Sequence, residues 1–502
     1  MTLTTDDADL AALGYRQALE RSVGRFGSFA AGLSYISILT GTFQLFYFGF
    51  SSGGPAYWWT WPMVFVGQLT VALCFAELAA RYPLAGSIYL WSRRLGGATT
   101  SWLAGWTMLV ASIVTLAAVV LAYQLTLPQI WSGFQIVGDG TGTYDFAVNA
   151  VLLGSVLVLF TTLVNAYGVK LMTRINSIGV VVELIAATLL VVLLAVHAVR
   201  GPGTITQTAS TGQGHDLGYL GAFLIASLAS GYVMYGFDTA GSLAEETRDP
   251  RRNGPRAILL ALAASAVLGG AILLTAILAA PDLGDPRLGE SSGGLQLIVL
   301  SVLGSNLGKV LLVCVVLAVT VCALSVHAAT IRLVFAMARD NNLPGGRALA
   351  RVHPVRRTPV VPAVLIGVLA VLILVVNIRQ PQIFTVVTSI AVVLIYLAYL
   401  LVTGPMLLAR LRGDWPLAGS DKGFSLGRYG VVVNVVAVVW GAAMAVNLAW
   451  PRRDVYDAIE PHHLYLQYGA PLSIGAVVLG GLAYYRLRQR HRTGVLPEHA
   501  AD

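Results

Sequence analysis

An aspartate stands where the middle of a lipid bilayer is expected. Asp238 lies in the run Tyr235-Gly236-Phe237-Asp238-Thr239-Ala240-Gly241, inside an apolar stretch from about 218 to 245. A carboxylate at the centre of a membrane helix costs roughly 2.5 to 3.5 kcal/mol on insertion scales, so such acids face a substrate, a water-filled space or a proton path. Asp238 therefore admits two functional roles: holding a substrate ammonium or guanidinium, or taking up a proton. A structural bond to nearby backbone is the third reading. Gly236 and Gly241 weaken helix continuity on either side of it, which leaves backbone groups of this run free to bind.

A second weak point falls at Ser37-Ile38-Leu39-Thr40-Gly41, within the first apolar stretch, about 26 to 50. If five spans are followed by five more in inverted order, spans one and six are equivalent, and broken helices in matching positions point to a transporter binding site. Close packing through small residues is the plainer alternative. Half-helix ends sort charge: an N-terminal end favours a carboxylate and a C-terminal end an ammonium. Ser37 and Thr40 add hydroxyls, and Phe237 is placed to act as an aromatic lid or simply to pack.

Other polar residues lie in apolar surroundings. Glu183, within the apolar segment 178–194, is a candidate to stand in for a coupling cation or to pair with a hydroxyl on a facing helix. Ser325, His327 and Thr330 lie on the eighth span, with His327 a candidate proton carrier or an interior packing residue. At the inner end of the sixth span, Glu245 and Glu246 invite pairing with Arg81 or Arg332 as a cytoplasmic gate, or solvation at the membrane edge. No metal-ligand spacing is evident; Cys74, Cys314 and Cys322 all fall within spans as packing residues, and His462 and His463 fall in an outer loop beside Glu460.

The elements that must position these groups are membrane helices. The chain has 502 residues, 56% hydrophobic and 11% charged, with a mean hydropathy of +0.74, which excludes a soluble core. Twelve stretches are long enough to span, at about 26–50, 62–80, 101–125, 147–168, 175–199, 218–245, 256–280, 309–338, 361–378, 383–408, 430–450 and 468–486. Placing both termini in the cytoplasm puts all but six of the 32 Lys and Arg inside, the exceptions being Arg200, Arg287, Lys309, Arg379, Arg452 and Arg453. The formal charge of +8 thus reflects orientation and contact with anionic lipid, and does not indicate nucleic acid. Residues 1–20 read as a polar cytoplasmic tail without a cleavable signal, 21–490 as one permease domain and 491–502 as a second tail. Connections near 200–218 and 280–306 read as outer loops, and Trp58, Trp59 and Trp61 as interfacial aromatics.

The run YGFDTAGSLAEETRDP from Tyr235 to Pro250 resembles the sixth-helix signature of the amino acid-polyamine-organocation transporter superfamily. The stretches from Ala76 to Tyr89 and from Arg332 to Pro344 (RLVFAMARDNNLP) are similar to its second and eighth helices. Ser34 to Gly41 and Trp91 look most like the amino acid/choline branch, whereas Asp238-Thr239-Ala240 resembles the proton-coupled cationic amino acid transporters. Many relatives carry a glycine-rich first break; here Gly41 is its one glycine.

The resemblance implies an all-α membrane protein of twelve helices. Its fold would be a leucine-transporter-like five-plus-five inverted repeat (about 26–199 and 218–408) with two further helices at about 430–486. It implies substrate contacts from Ser37, Ile38, Leu39, Thr40 and Gly41, with Tyr235, Gly236, Phe237, Asp238 and Thr239 opposite. The proton-coupling candidates are Asp238, Glu183, His327 and Ser325. The expectation is a secondary transporter of the plasma (inner) membrane that imports an amino acid or related amine by proton symport, with no cofactor. An exchanger of the same fold is the alternative; an integral-membrane transferase or a channel is the alternative from another class.

Overall fold

The computed structural model describes residues 10–500 apart from 214, 216, 377, 379–382, 417–422, 457–461 and 463. Arg379, Glu460 and His463, named above, lie outside the described residues. The described residues form an all-helical bundle, with only two isolated β-bridges. Ten helical segments are long and apolar enough to cross a membrane, and two shorter apolar ones join them.

The first span is two helices, α1 (Arg25–Ile36) and α2 (Ile38–Gly53). Then come α3 (Thr60–Arg81), α4 (Ser87–Val120) with α5 (Ala122–Ile130), α6 (Asp145–Tyr167) and α7 (Val169–Val196). The sixth span is again divided, into α8 (Tyr219–Val233) and the short α9 (Thr239–Ser242). It is followed by α10 (Pro250–Ala279), α11 (Gly294–Arg339), α12 (Val360–Val376), α13 (Ile383–Arg412), α14 (Gly430–Ala449) and α15 (Gly469–Tyr484). All twelve expected spans are present, and both expected breaks occur.

Periodicity decides which face of each helix turns inward. On α7, Ile178, Val181, Ile185, Leu189 and Val192 are exposed at helical spacing, while Gly179, Val180, Glu183, Ala187 and Leu190 form the opposite, buried stripe. An outward apolar face and an inward polar residue invert the soluble pattern, as lipid solvent requires. Gly179 allows the close approach of α7 to α11, because a Cβ there would overlap Val321.

Three expectations are corrected. The loop read over 280–306 contains helix: α11 begins at Gly294 and bends at Gly304, φ +76°, so its first turns precede the membrane-length part. Leu295, Ile298 and Val299 are buried on this segment, and that apolar face makes it pack as helix. Of the interfacial tryptophans only Trp59 is exposed; Trp58, in the turn before α3, donates to the Gly270 carbonyl and Trp61, on α3, to that of Ala266, so both bind this end of α3 to α10. Gly41 and Gly241 do not lie in unwound chain, since they sit inside α2 and α9.

Candidate functional site

The first break is a single residue wide. Ser37 adopts φ +41° and ψ +95° between α1 and α2, a left-handed excursion that is strained for a residue with a Cβ. Its surroundings hold it there. The Ser37 hydroxyl donates to Oε1 of Glu183 at 2.9 Å and, in turn, accepts from Thr40 at 2.6 Å. The Leu39 N–H, at the start of α2, donates to the same Glu183 oxygen at 3.1 Å. From α11, Ser325 donates to the Ala31 carbonyl at 2.8 Å and the Cys322 thiol to the Tyr35 carbonyl at 3.4 Å. The Tyr35 carbonyl lies in the last turn of α1, where carbonyls are short of helical partners, and the Ala31 carbonyl accepts its bond about one turn earlier.

The second break covers residues 234–238. Gly236 has φ +88°, and a Cβ there would overlap the ring of Tyr35, so glycine is required both by the backbone and by the contact between the two broken helices. The Gly236 N–H donates to the Tyr399 oxygen at 2.9 Å, and the Tyr399 hydroxyl donates to Oδ1 of Asp238 at 2.6 Å. Ser87 reaches Oδ2 of Asp238 at 3.5 Å and Ser242 at 2.9 Å. Phe237 packs with Phe75 and Tyr399, at ring separations of 6.0 and 5.5 Å, while Tyr235 stands edge-on to Tyr35 at 6.2 Å.

Ser37, Leu39, Glu183, Phe237 and Asp238 are each at most 1% exposed. Beside the breaks, a hollow bounded by Gly41, Thr42, Ser230 and Val233 has a volume of about 10 Å³, space for about one water. The conformation is therefore closed around the breaks.

Two buried carboxylates consequently meet the two breaks, Glu183 at the first and Asp238 at the second. Neither forms an ion pair with any described Lys or Arg. Oε2 of Glu183 has no hydrogen-bond partner among the described residues. Ile38, Thr40 and Thr239 lie buried beside these groups, Thr239 opening α9.

His327 is elsewhere. Its Nε2 donates to the Ala363 carbonyl at 2.9 Å and its Nδ1 meets the Thr161 hydroxyl at 3.1 Å, so the ring is seated between α6, α11 and α12 and bonds no residue of either break. The hydroxyl of Ser325 is committed to Ala31, so Ser325 ties α11 to α1. Thr330 bonds its own helix at Val326, so the three polar residues of α11 point three ways.

The acids below α9 are paired. Arg332 clasps Glu246 through Nε and Nη2, at 3.2 and 3.0 Å, and Arg339 clasps Glu245 with two bonds of 2.9 and 2.7 Å. All four are buried. The partner opposite Glu245 is thus Arg339, whereas the sequence offered Arg81 or Arg332. Arg81 ends α3, buried, four residues before Ala85, whose N–H also donates to Glu245.

Both chain ends cover these pairs. Val23 exchanges backbone bonds with Glu246 and Arg248, and Gln17 donates to the Glu245 carbonyl. The Tyr15 ring lies 4.0 Å from the Arg339 guanidinium, and its hydroxyl donates to Asp340. Burial and Asp340 push that hydroxyl up to about 12, so it stays a donor at neutral pH. The N–H groups of Leu496 and Gly494 donate to the carbonyls of Arg339 and Asp340, and the N–H of Arg16 donates to the His499 carbonyl. Tyr399, Ser87, Tyr35 and Arg339 were not singled out by the sequence. A tyrosine deep in the apolar span 383–408 was the available signal for the first; Ser87, opening α4 between two expected spans, carried none.

Comparison with known proteins then assigns the family. The amino acid permease family model matches residues 23–468. The chain belongs to the amino acid permease family. It is 28% identical to the amino-acid permease BAT1 of Arabidopsis thaliana, over 95% of this chain and 94% of that protein. It is 26% identical to the branched-chain amino acid permease BcaP of Bacillus subtilis, over 88% and 91% of the two. It is also 28% identical to the methylthioribose transporter of the same organism, over 72% and 76%. Among solved structures it superposes on MhsT in complex with L-phenylalanine with a TM-score of 0.57 and 17% identity, covering 86% of this chain and 98% of that one. The leucine-transporter-like fold and a multi-pass membrane transporter follow.

Proposed function

We propose that this permease imports a small amino acid or related amine in symport with protons, by alternating access around the two breaks. The observation that supports it most is the pair of buried carboxylates, Asp238 and Glu183, each at a break and neither facing a described cation. An isolated buried carboxylate needs a proton or a positively charged partner. A proton and a substrate ammonium arriving together meet that need, and this is what symport supplies. Segments 37–41 and 235–239 then form the substrate-contacting walls, with repeats at about 26–199 and 218–408 in one permease domain over 21–490.

In this reading the face carrying both chain ends is cytoplasmic, in agreement with the distribution of Lys and Arg, and the membrane is the plasma membrane. The pairs Glu246–Arg332 and Glu245–Arg339 keep that side shut and part when the carrier turns inward. The names of relatives favour small solutes: branched-chain amino acids, methylthioribose and, for MhsT, bound L-phenylalanine.

The test is uptake of radiolabelled amino acids and amines into proteoliposomes under an imposed pH gradient. Accumulation without substrate inside, abolished in Asp238→Asn while exchange across the membrane persists, is the expected result. Uptake that needs preloaded substrate and ignores the gradient would replace symport with exchange.

A further inference from the structure

We propose that Glu183 fills, at the first break, the place a substrate carboxylate would take, so that the site recognises its cargo by the ammonium end and carries an amine in preference to its parent amino acid. This narrows the reading above and rests on its placing of the substrate site at the two breaks.

The argument begins with the donors of α2. A helix of 16 residues starts at Ile38, and its N-terminal N–H groups are the natural seat for a carboxylate. That seat is taken from within the chain. The Leu39 N–H and the Ser37 hydroxyl both donate to Oε1 of Glu183, and Thr40 braces Ser37 from behind. Glu183 reaches them because it lies on the buried stripe of α7, and Gly179, one turn earlier, lets α7 approach α11 closely.

Charge makes the same case independently. Oε2 of Glu183 is buried without a hydrogen-bond partner among the described residues. The buried guanidinium groups of Arg332, Arg339 and Arg410 are committed to Glu246, Glu245 and Glu77. With Asp238 at the other break, the two breaks offer two carboxylates. An amino acid would bring its own carboxylate against Glu183, a like-charge approach in surroundings that screen poorly. An amine without a carboxylate brings only the positive end. The Tyr235 ring, at the second break, packs edge-on to those of Tyr35 and Tyr232, and these rings add faces that attract an ammonium.

Matched pairs test this: agmatine with arginine, putrescine with ornithine, and phenethylamine with phenylalanine. In pH-driven proteoliposome uptake, the amine of at least one pair should enter tenfold faster than its parent acid. Glu183→Gln removes the charge at nearly constant volume, and Glu183→Ala also frees the Leu39 N–H. Each should lower the amine-to-acid ratio at least tenfold, and Glu183→Ala should do so by a gain in amino-acid uptake that a merely misfolded variant would not show. Thermal stabilisation of the purified protein by the six compounds gives the same ranking without any gradient. Parent acids that enter faster than their amines in every pair, or a ratio unmoved in both variants, would overturn the proposal. If no compound is driven by the pH gradient and the amines still stabilise the protein more than the acids, the proton-coupled reading falls and this one stands.

Discussion

The acids at the breaks and the acids below α9 differ in their partners. Glu245 and Glu246 are each gripped by two or more bonds from a buried arginine. Asp238 and Glu183 are held by hydroxyls and a backbone N–H, without an ion pair. All four are buried and all sit on or against divided helices. What separates them is whether the counter-charge is built in. A built-in guanidinium commits an acid to one arrangement of helices, and its absence leaves the acid open to a partner that comes and goes.

The largest effect should come from removing a built-in partner. Arg339→Ala strands Glu245 without its cation and should cost about 3–5 kcal/mol, read as a lower midpoint of thermal unfolding in detergent. A variant as stable as the parent would mean that the pair is not a lock. Next is the seam between the broken helices. Gly236→Ala places a methyl group into the Tyr35 ring at a positive φ and should cost about 1–3 kcal/mol, part of it recovered when Tyr35 is trimmed to leucine. Full stability in the single variant would show that the helices are not in contact there.

Tyr399→Phe deletes the hydroxyl that donates to Asp238 and accepts from Gly236. A loss of about 1–3 kcal/mol is expected, with a shift in the pH dependence of uptake as its specific signature. Asp238→Asn should lower stability by less than any of these, about 1 kcal/mol or below, while abolishing pH-driven accumulation. If instead it unfolds the protein as readily as Arg339→Ala, the contrast between the two acid sets is lost.

The smallest effect concerns His499, half-buried outside the membrane-spanning segments. Burial and Arg339 hold its pKa below the ordinary value, against weaker opposing contributions from the Ala350 backbone, Glu498 and Glu245. A base with a depressed folded pKa contributes stability above its unfolded pKa, near 6.5, and loses it as pH falls below that. Protection factors of the amides in residues 494–500, with the intrinsic pH dependence of exchange divided out, should therefore fall between pH 7.5 and 5.5, and His499→Gln should flatten the change.

The spans and both breaks were legible because lipid imposes a long apolar period and because polar residues within it are rare. Ser37 and Asp238 stood out for that reason. The width of the first break was not legible, since Gly41 attracted attention on propensity while the left-handed residue is Ser37, fixed by Glu183 across more than a hundred residues of sequence. Such pairings depend on register between helices, which no local pattern encodes. His327 drew attention for its titration range, and its seat between α6 and α12, bonded to Thr161 and Ala363, depends on the same register between helices. Trp58 and Trp61 likewise read as surface anchors until the glycines of α10 made room for them.

Tyr15 and Ala500 lie side by side in an antiparallel bridge, with the Arg339–Glu245 pair behind them. A fluorophore attached at residue 500, with a quenching dye near Tyr15, would therefore report whether this junction parts during turnover, as the proposed gate requires.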